Sequence, residues 1–79
     1  MHEEYTMPGK VRIGRYRHYK GREYRVMGVA EHTESGEQVV VYQQLYGDHR
    51  LWVRPLKIFH ENVEVDGNLL PRFSFISSD

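Results

Sequence analysis

Short runs of alternating apolar and polar residues cover most of this chain, broken by glycine-containing turns at intervals of roughly ten residues, a spacing typical of small all-β domains. The first run predicts a strand over 14–19, with Ile13, Tyr16 and Tyr19 as packing candidates. Strand alternation puts Arg15 and Arg17 on one face and Tyr16 and His18 on the other. Lys20 and Gly21 supply a turn. A second, longer strand is predicted over 22–33, with Tyr24, Val26, Gly28 and Ala30 on one face. Both of its faces are partly apolar, and Gly28 has no side chain to resist a kink or bulge. After Glu34, Ser35 and Gly36, the stretch 37–46 is rich in β-branched and aromatic residues (Val39, Val40, Val41, Tyr42, Tyr46), which fit a pleated surface. Gly47, Asp48 and His49 turn the chain into a fourth strand over 50–54. Arg50, Trp52 and Arg54 share one face of it, and Leu51 and Val53 are expected to pack from the other.

Pro55 has no backbone N–H to give a ladder, so it should end that strand. The next four residues, 56–59, are enough for one helical turn, which would cap the core with Leu56 and Phe59. Val63 to Val65, then Asp66 and Gly67, then Leu69 and Leu70 read as a hairpin. Both turn positions tolerate positive φ, and Pro71 marks that arm as an edge. Phe73 and Phe75 alternate with Arg72 and Ser74. The fold class predicted is all-β: a small SH3-like barrel of five or six strands with one short helical turn after Pro55. Residues 1–12 are expected to be a flexible lead-in, 13–76 the single domain and 77–79 a tail.

Composition narrows what can hold such a domain together. The chain has 79 residues and no cysteine, so neither a disulfide framework nor a cysteine-based zinc site is available. The core must come from side-chain packing, and ten aromatic residues are present for it. The lack of cysteine fits a cytoplasmic protein. Residues 1–10 hold no apolar run of signal-peptide type, and no run approaches the roughly 20 residues of a membrane helix.

The net charge is zero, but residues 10–25 carry seven basic side chains against Glu23 alone. Such asymmetry fits an anionic partner, and equally fits two oppositely charged faces that keep the protein soluble.

Three separated stretches resemble a known family. The first is Gly14-Arg15-Tyr16-Arg17-His18-Tyr19-Lys20-Gly21 with Tyr24. The second runs from Tyr42 to Pro55, with Leu45-Tyr46-Gly47-Asp48 and Leu51-Trp52-Val53-Arg54-Pro55-Leu56, then Phe59. The third is Val65-Asp66-Gly67 followed by Pro71-Arg72-Phe73. Together they are similar to the small bacterial family called domain of unknown function 1653, over residues 14–76. The resemblance implies an SH3-like barrel. It implies no activity, and it transfers no residue roles.

The candidate binding set is aromatic and basic: Arg15, Arg17, His18, Tyr19, Lys20, Tyr46, Asp48, Arg50, Trp52 and Arg54. Rings offer stacking surface, and guanidinium or ammonium groups hold phosphate or carboxylate. A core role competes for the same rings: it is the expectation for Trp52 and Tyr24, whereas Tyr19 and Tyr46, beside turns, fit either. Asp48 suits a turn position and also suits pairing with Arg50 or Arg54.

No two of the five histidines stand at metal-ligand spacing, so no metal is expected. The scattered glycines form no phosphate-cradling loop, and no cofactor is expected. No serine sits in a nucleophile turn; Glu31, Glu34, Glu37 and Asp48 would have to converge to make an acid–base site. The resulting expectation is a monomeric, non-enzymatic binding module for nucleic acid or another anionic ligand. Arg15, Arg17 and Lys20 would hold phosphate, and Tyr19, Tyr46 or Trp52 would stack. The alternative is a peptide- or protein-docking module with no nucleic-acid role.

Overall fold

The computed structural model describes residues 11–78. The flexible lead-in and the tail expected from the sequence therefore lie outside the described residues over 1–10 and at 79. Seven strands and one helical turn follow in order: β1 (Gly14–His18), β2 (Glu23–Glu31), β3 (Gln38–Gln44), β4 (Leu51–Pro55), α1 (Leu56–Phe59), β5 (Asn62–Val65), β6 (Asn68–Pro71) and β7 (Phe73–Ser77). The all-β class and the single helical turn after Pro55 stand as expected.

There is one strand more than expected, because the chain changes sheets around Arg72. Pro71 closes β6 in a two-stranded β5–β6 sheet, and Phe73 opens β7 in the main sheet. The main sheet is antiparallel with order β4-β3-β2-β1-β7, and its two outer strands are not paired with each other. It is an open sheet, curled around the core rather than closed by a last ladder. Across the sheet β3 and β7 are three positions apart, which in a flat sheet is about 14 Å. Yet the rings of Tyr42 on β3 and Phe73 on β7 meet with centroids 5.6 Å apart.

Local chemistry explains the turns. Asp66 and Gly67 both take positive φ (52° and 82°), the twist a two-residue hairpin requires. The bulge anticipated at Gly28 is present: the β2–β3 register shifts between Val26 and Gly28, and Met27 is the extra residue. Gly14 is held at φ 148°, where a Cβ would collide with the Ser77 carbonyl oxygen and press on the Phe75 ring. Gly14→Ala should therefore cost about 1–3 kcal/mol, seen as a lower urea midpoint with an unchanged m-value.

The core lies on the concave face. Tyr16, Val26, Val40, Tyr42, Leu56, Phe59 and Phe73 form its buried cluster, with Val11, Tyr24, Val29 and Phe75 packed around it. Phe59 of α1 stacks flat on Phe73, centroids 4.4 Å apart. Tyr16 meets Phe59 and Phe75 edge-on, and its hydroxyl donates to the Arg12 carbonyl at 2.8 Å. Burial pushes that hydroxyl's pKa up to about 12.

Three expected packing positions lie outside this core. Ile13 is 61% exposed, one residue before the first ladder begins. Leu51 and Val53 are both 62% exposed. The β3–β4 register sets Trp52 opposite Tyr42 and Arg54 opposite Val40. Alternation then turns Leu51 and Val53 to the convex face, which no element among the described residues covers. Trp52, expected in the core, is 45% exposed, because it sits on the edge strand beyond Tyr42.

Candidate functional site

Pairing carries one row of side chains across the concave face. Tyr24 stands opposite Gln44 and Tyr42 opposite Trp52, so Tyr24, Tyr42, Gln44, Trp52 and Arg54 share that face near the β3–β4 end. Tyr24, Tyr42, Tyr46, Trp52 and Arg54 line an open pocket of about 210 Å³. Drug-sized ligands usually need about 300 Å³ or more. This space suits a single planar ring with one face left to solvent.

The pocket walls are fixed by their own hydrogen bonds. The Trp52 indole donates to Gln44 Oε1 at 2.6 Å, and Gln44 Nε2 donates to the Tyr46 carbonyl at 3.2 Å. Gln44 is itself buried, so one side chain anchors both the indole and the turn. The Tyr24 and Tyr46 hydroxyls share a hydrogen bond at 2.8 Å with their rings edge-to-face. Burial and that bond push the Tyr24 hydroxyl's pKa up to about 12. The Arg22 guanidinium covers the Tyr46 ring from outside, 4.4 Å from its centroid. Arg54 Nε donates to the Tyr42 hydroxyl at 3.2 Å, and its guanidinium carbon lies 5.7 Å from the Phe73 centroid. Among the described residues no carboxylate pairs with Arg54.

Behind Arg54, His18 packs between Tyr19, Phe73 and Tyr24. Its Nδ1 accepts the Lys20 backbone N–H at 3.1 Å, so the neutral ring carries its proton on Nε2. Burial holds its pKa below the usual histidine value, helped by the positive charges of Arg54, Arg72 and Lys20. A pKa lower in the folded state means the unfolded chain binds the proton more readily. Stability associated with neutral His18 is thus present above about pH 6.5 and declines as pH falls through the folded-state pKa. Melting at pH 7.5 and at pH 5 should show this loss, and His18→Asn should reduce it.

The structure separates the candidate residues anticipated from sequence. Tyr46, Trp52 and Arg54 come together in the pocket, with His18 behind them. Arg15 and Arg17 lie on the convex face and are paired with Glu23, at 3.8 and 2.8 Å. The Arg17 hydrogen bond keeps the Glu23 carboxyl's pKa below its usual value. Tyr19 and Lys20 belong to the β1–β2 turn; Tyr19 borders a second hollow of about 280 Å³ beside Leu70 and Pro71. Asp48 and Arg50 face each other across the β3–β4 turn, with Arg50 Nε 3.6 Å from Asp48 Oδ2.

Glu31, Glu34 and Glu37 cluster around the β2–β3 turn, at the opposite end of β3 from Asp48. Among the described residues no group of three histidine or acidic side chains could hold a metal ion. No helix among them is long and apolar enough to cross a membrane.

Tyr42, Gln44 and Arg22 were not among the sequence candidates, although each shapes the pocket. The available signal was the glutamine pair, Gln43 and Gln44, interrupting an apolar strand directly after Tyr42.

Comparison with known proteins matches this architecture. The family described as protein of unknown function (DUF1653) matches residues 14–75. The chain belongs to this family. The crystal structure of a DUF1653 protein from Bordetella bronchiseptica superposes with a TM-score of 0.77 at 40% identity, covering 82% of this chain and 86% of that one. No curated protein matches. The resemblance read from the three motif stretches is thereby established, and the pocket lies within the DUF1653 segment.

Proposed function

We propose that this DUF1653 domain is a binding module whose concave pocket takes an exposed base of single-stranded nucleic acid, with the adjoining phosphate on Arg54. The observation that carries the reading is the half-exposed Trp52 indole. It is fixed by Gln44 and stands in the same pocket as the Arg54 guanidinium, which no carboxylate among the described residues pairs with. Base–aromatic stacking tolerates any sequence, because every base has a π-face. Arg54 lines the pocket itself and supplies its positive charge.

The phosphate contacts assigned from sequence to Arg15, Arg17 and Lys20 pass in this reading to Arg54 and Arg22. Arg15 and Arg17 point the other way and already have Glu23. Trp52 is the chain's only tryptophan, so its fluorescence reports on the site alone. Titration with a single-stranded oligonucleotide at low salt should quench it. Affinity should fall with salt at a slope of roughly −0.7 to −1.4, as for one or two single-strand phosphates. An unchanged emission would reject the reading. The alternative, a protein-docking module, is favoured by a different observation: among the described residues the outer edge of β4 is unpaired, with Leu51 and Val53 exposed.

A further inference from the structure

We propose that β4 is a homodimerisation edge: two copies of this chain pair antiparallel, β4 to β4, about a two-fold axis through Val53, joining two five-stranded sheets into one of ten strands. The inference needs no ligand, but it engages Trp52 and Arg54 of the pocket, and it departs from the monomer expected from sequence.

It begins with which backbone groups of β4 are already used. Among the described residues β4 pairs only with β3. Gln44 N–H donates to the Arg50 carbonyl at 3.0 Å, so Gln44 and Arg50 are a hydrogen-bonded pair. Such pairs recur at every second residue of an antiparallel ladder. Tyr42–Trp52 and Val40–Arg54 are the next two in register. The other side of β3 agrees, since Leu45 N–H goes to the Glu23 carbonyl of the β2 side. Trp52 and Arg54 therefore direct their N–H and C=O groups at β3. Leu51, Val53 and Pro55 direct theirs away from the sheet.

That outward pattern is self-complementary in one register. With the axis on Val53, all five residues of β4 are paired. The two Val53 residues exchange both of their bonds, and each Leu51 N–H meets the other copy's Pro55 carbonyl. Proline lacks the N–H, and it falls at the end of the ladder, where the loss is least. Shifting the axis to Leu51 or Pro55 leaves part of the strand unpaired. Shifting it to Trp52 keeps paired bonds between Leu51 and Val53 but sets Arg50 opposite the other copy's Arg54, and shifting it to Arg54 sets two Arg54 guanidinium groups directly opposite, like-charge pairs that destabilise a sheet. An edge proline of this kind also discourages promiscuous strand addition.

Side chains fit the same register. On the convex face Val53 meets Val53 and Leu51 meets Pro55, covering Leu51 and Val53, each 62% exposed in the single chain. On the concave face each Trp52 stands opposite the other copy's Arg54, a cation–π arrangement. The formal net charge of zero leaves no overall repulsion between copies. The second copy is thus favoured over an unrelated strand because hydrogen-bond, apolar and charge patterns all match under the two-fold.

The full chain, studied by sedimentation velocity over a concentration series, should show a reversible monomer–dimer equilibrium. Val53→Lys puts two ammonium groups across the axis at an exposed position, and should weaken the dimer at least tenfold. Amide exchange of the unaltered chain gives a second readout that does not depend on any variant folding. The Leu51 and Val53 amides should become protected as concentration rises, while the Trp52 and Arg54 amides stay protected throughout. A single monomeric species at all concentrations would overturn the proposal. So would a dimer that Val53→Lys leaves intact. So would Leu51 and Val53 protection independent of concentration, which would place another segment of the same chain on the edge.

Discussion

Phe73→Ala is expected to lower the melting temperature by at least about 12 °C. Phe73 is 7% exposed and stacks on Phe59 at 4.4 Å. Its ring also meets Tyr42, Tyr24 and His18. It opens β7, at one edge of the main sheet, and touches β3 and α1 across the core. Removing a buried phenylalanine costs about 3–5 kcal/mol, while a domain of this size holds roughly 4–12 kcal/mol in all. Each kcal/mol moves the melting temperature by about 4–8 °C in domains this small. Circular dichroism melts should show the loss directly. Leu51→Ala, melted at a concentration low enough to keep the chain monomeric, is the matched control: its side chain is exposed on the convex face of the single chain, and the change should stay within about 0.5 kcal/mol. Comparable losses at both positions would contradict the curled-sheet core.

Removing the pocket's platform is the second large effect. Trp52→Ala should weaken binding of a single-stranded oligonucleotide by a factor of about 5 to 150, the range of one base–aromatic stack. The change also leaves the buried Gln44 oxygen without its indole donor, so a fall of several degrees in melting temperature is expected, and binding is compared well below the melt. Arg54→Ala should weaken binding too, and should reduce the salt slope by about 0.7, one single-strand phosphate contact. Arg17→Ala should do neither, since that side chain lies on the convex face against Glu23. Binding should also raise the His18 pKa toward its usual value, because phosphate on Arg54 offsets the charge that helps depress it. A loss caused by Arg17→Ala equal to that of Arg54→Ala would move the site to the other face.

Much of the scaffold was legible because its signals are local. Asp66-Gly67, the Gly28 bulge and the helical turn after Pro55 each follow from the φ/ψ or hydrogen-bonding limits of one or two residues. The alternation that groups Arg50, Trp52 and Arg54 was legible for the same reason. What alternation cannot supply is which face is inside when both are apolar, and β4 is such a case. Leu51 and Val53 are ordinary core residues by composition, but their register against Tyr42 and Val40 turns them outward. The basic run over 10–25 misled in a related way. It reads as one patch along the chain, whereas the structure spreads it over two faces and a turn. Arg12 lies on Phe75, Arg15 and Arg17 pair with Glu23, and Arg22 covers Tyr46. The pocket is assembled from β2, β3, β4 and the turn after β3, so pairing between strands decides its membership.

The most direct test is an amide chemical-shift titration of isotopically labelled protein with a short single-stranded oligonucleotide at low salt. The pocket account expects shifts concentrated on Tyr24, Tyr42, Tyr46, Trp52 and Arg54, together with the Trp52 indole N–H. It expects Arg15, Arg17 and Arg25 on the convex face to stay unmoved. Shifts confined to the convex arginines, or none at all, would contradict it.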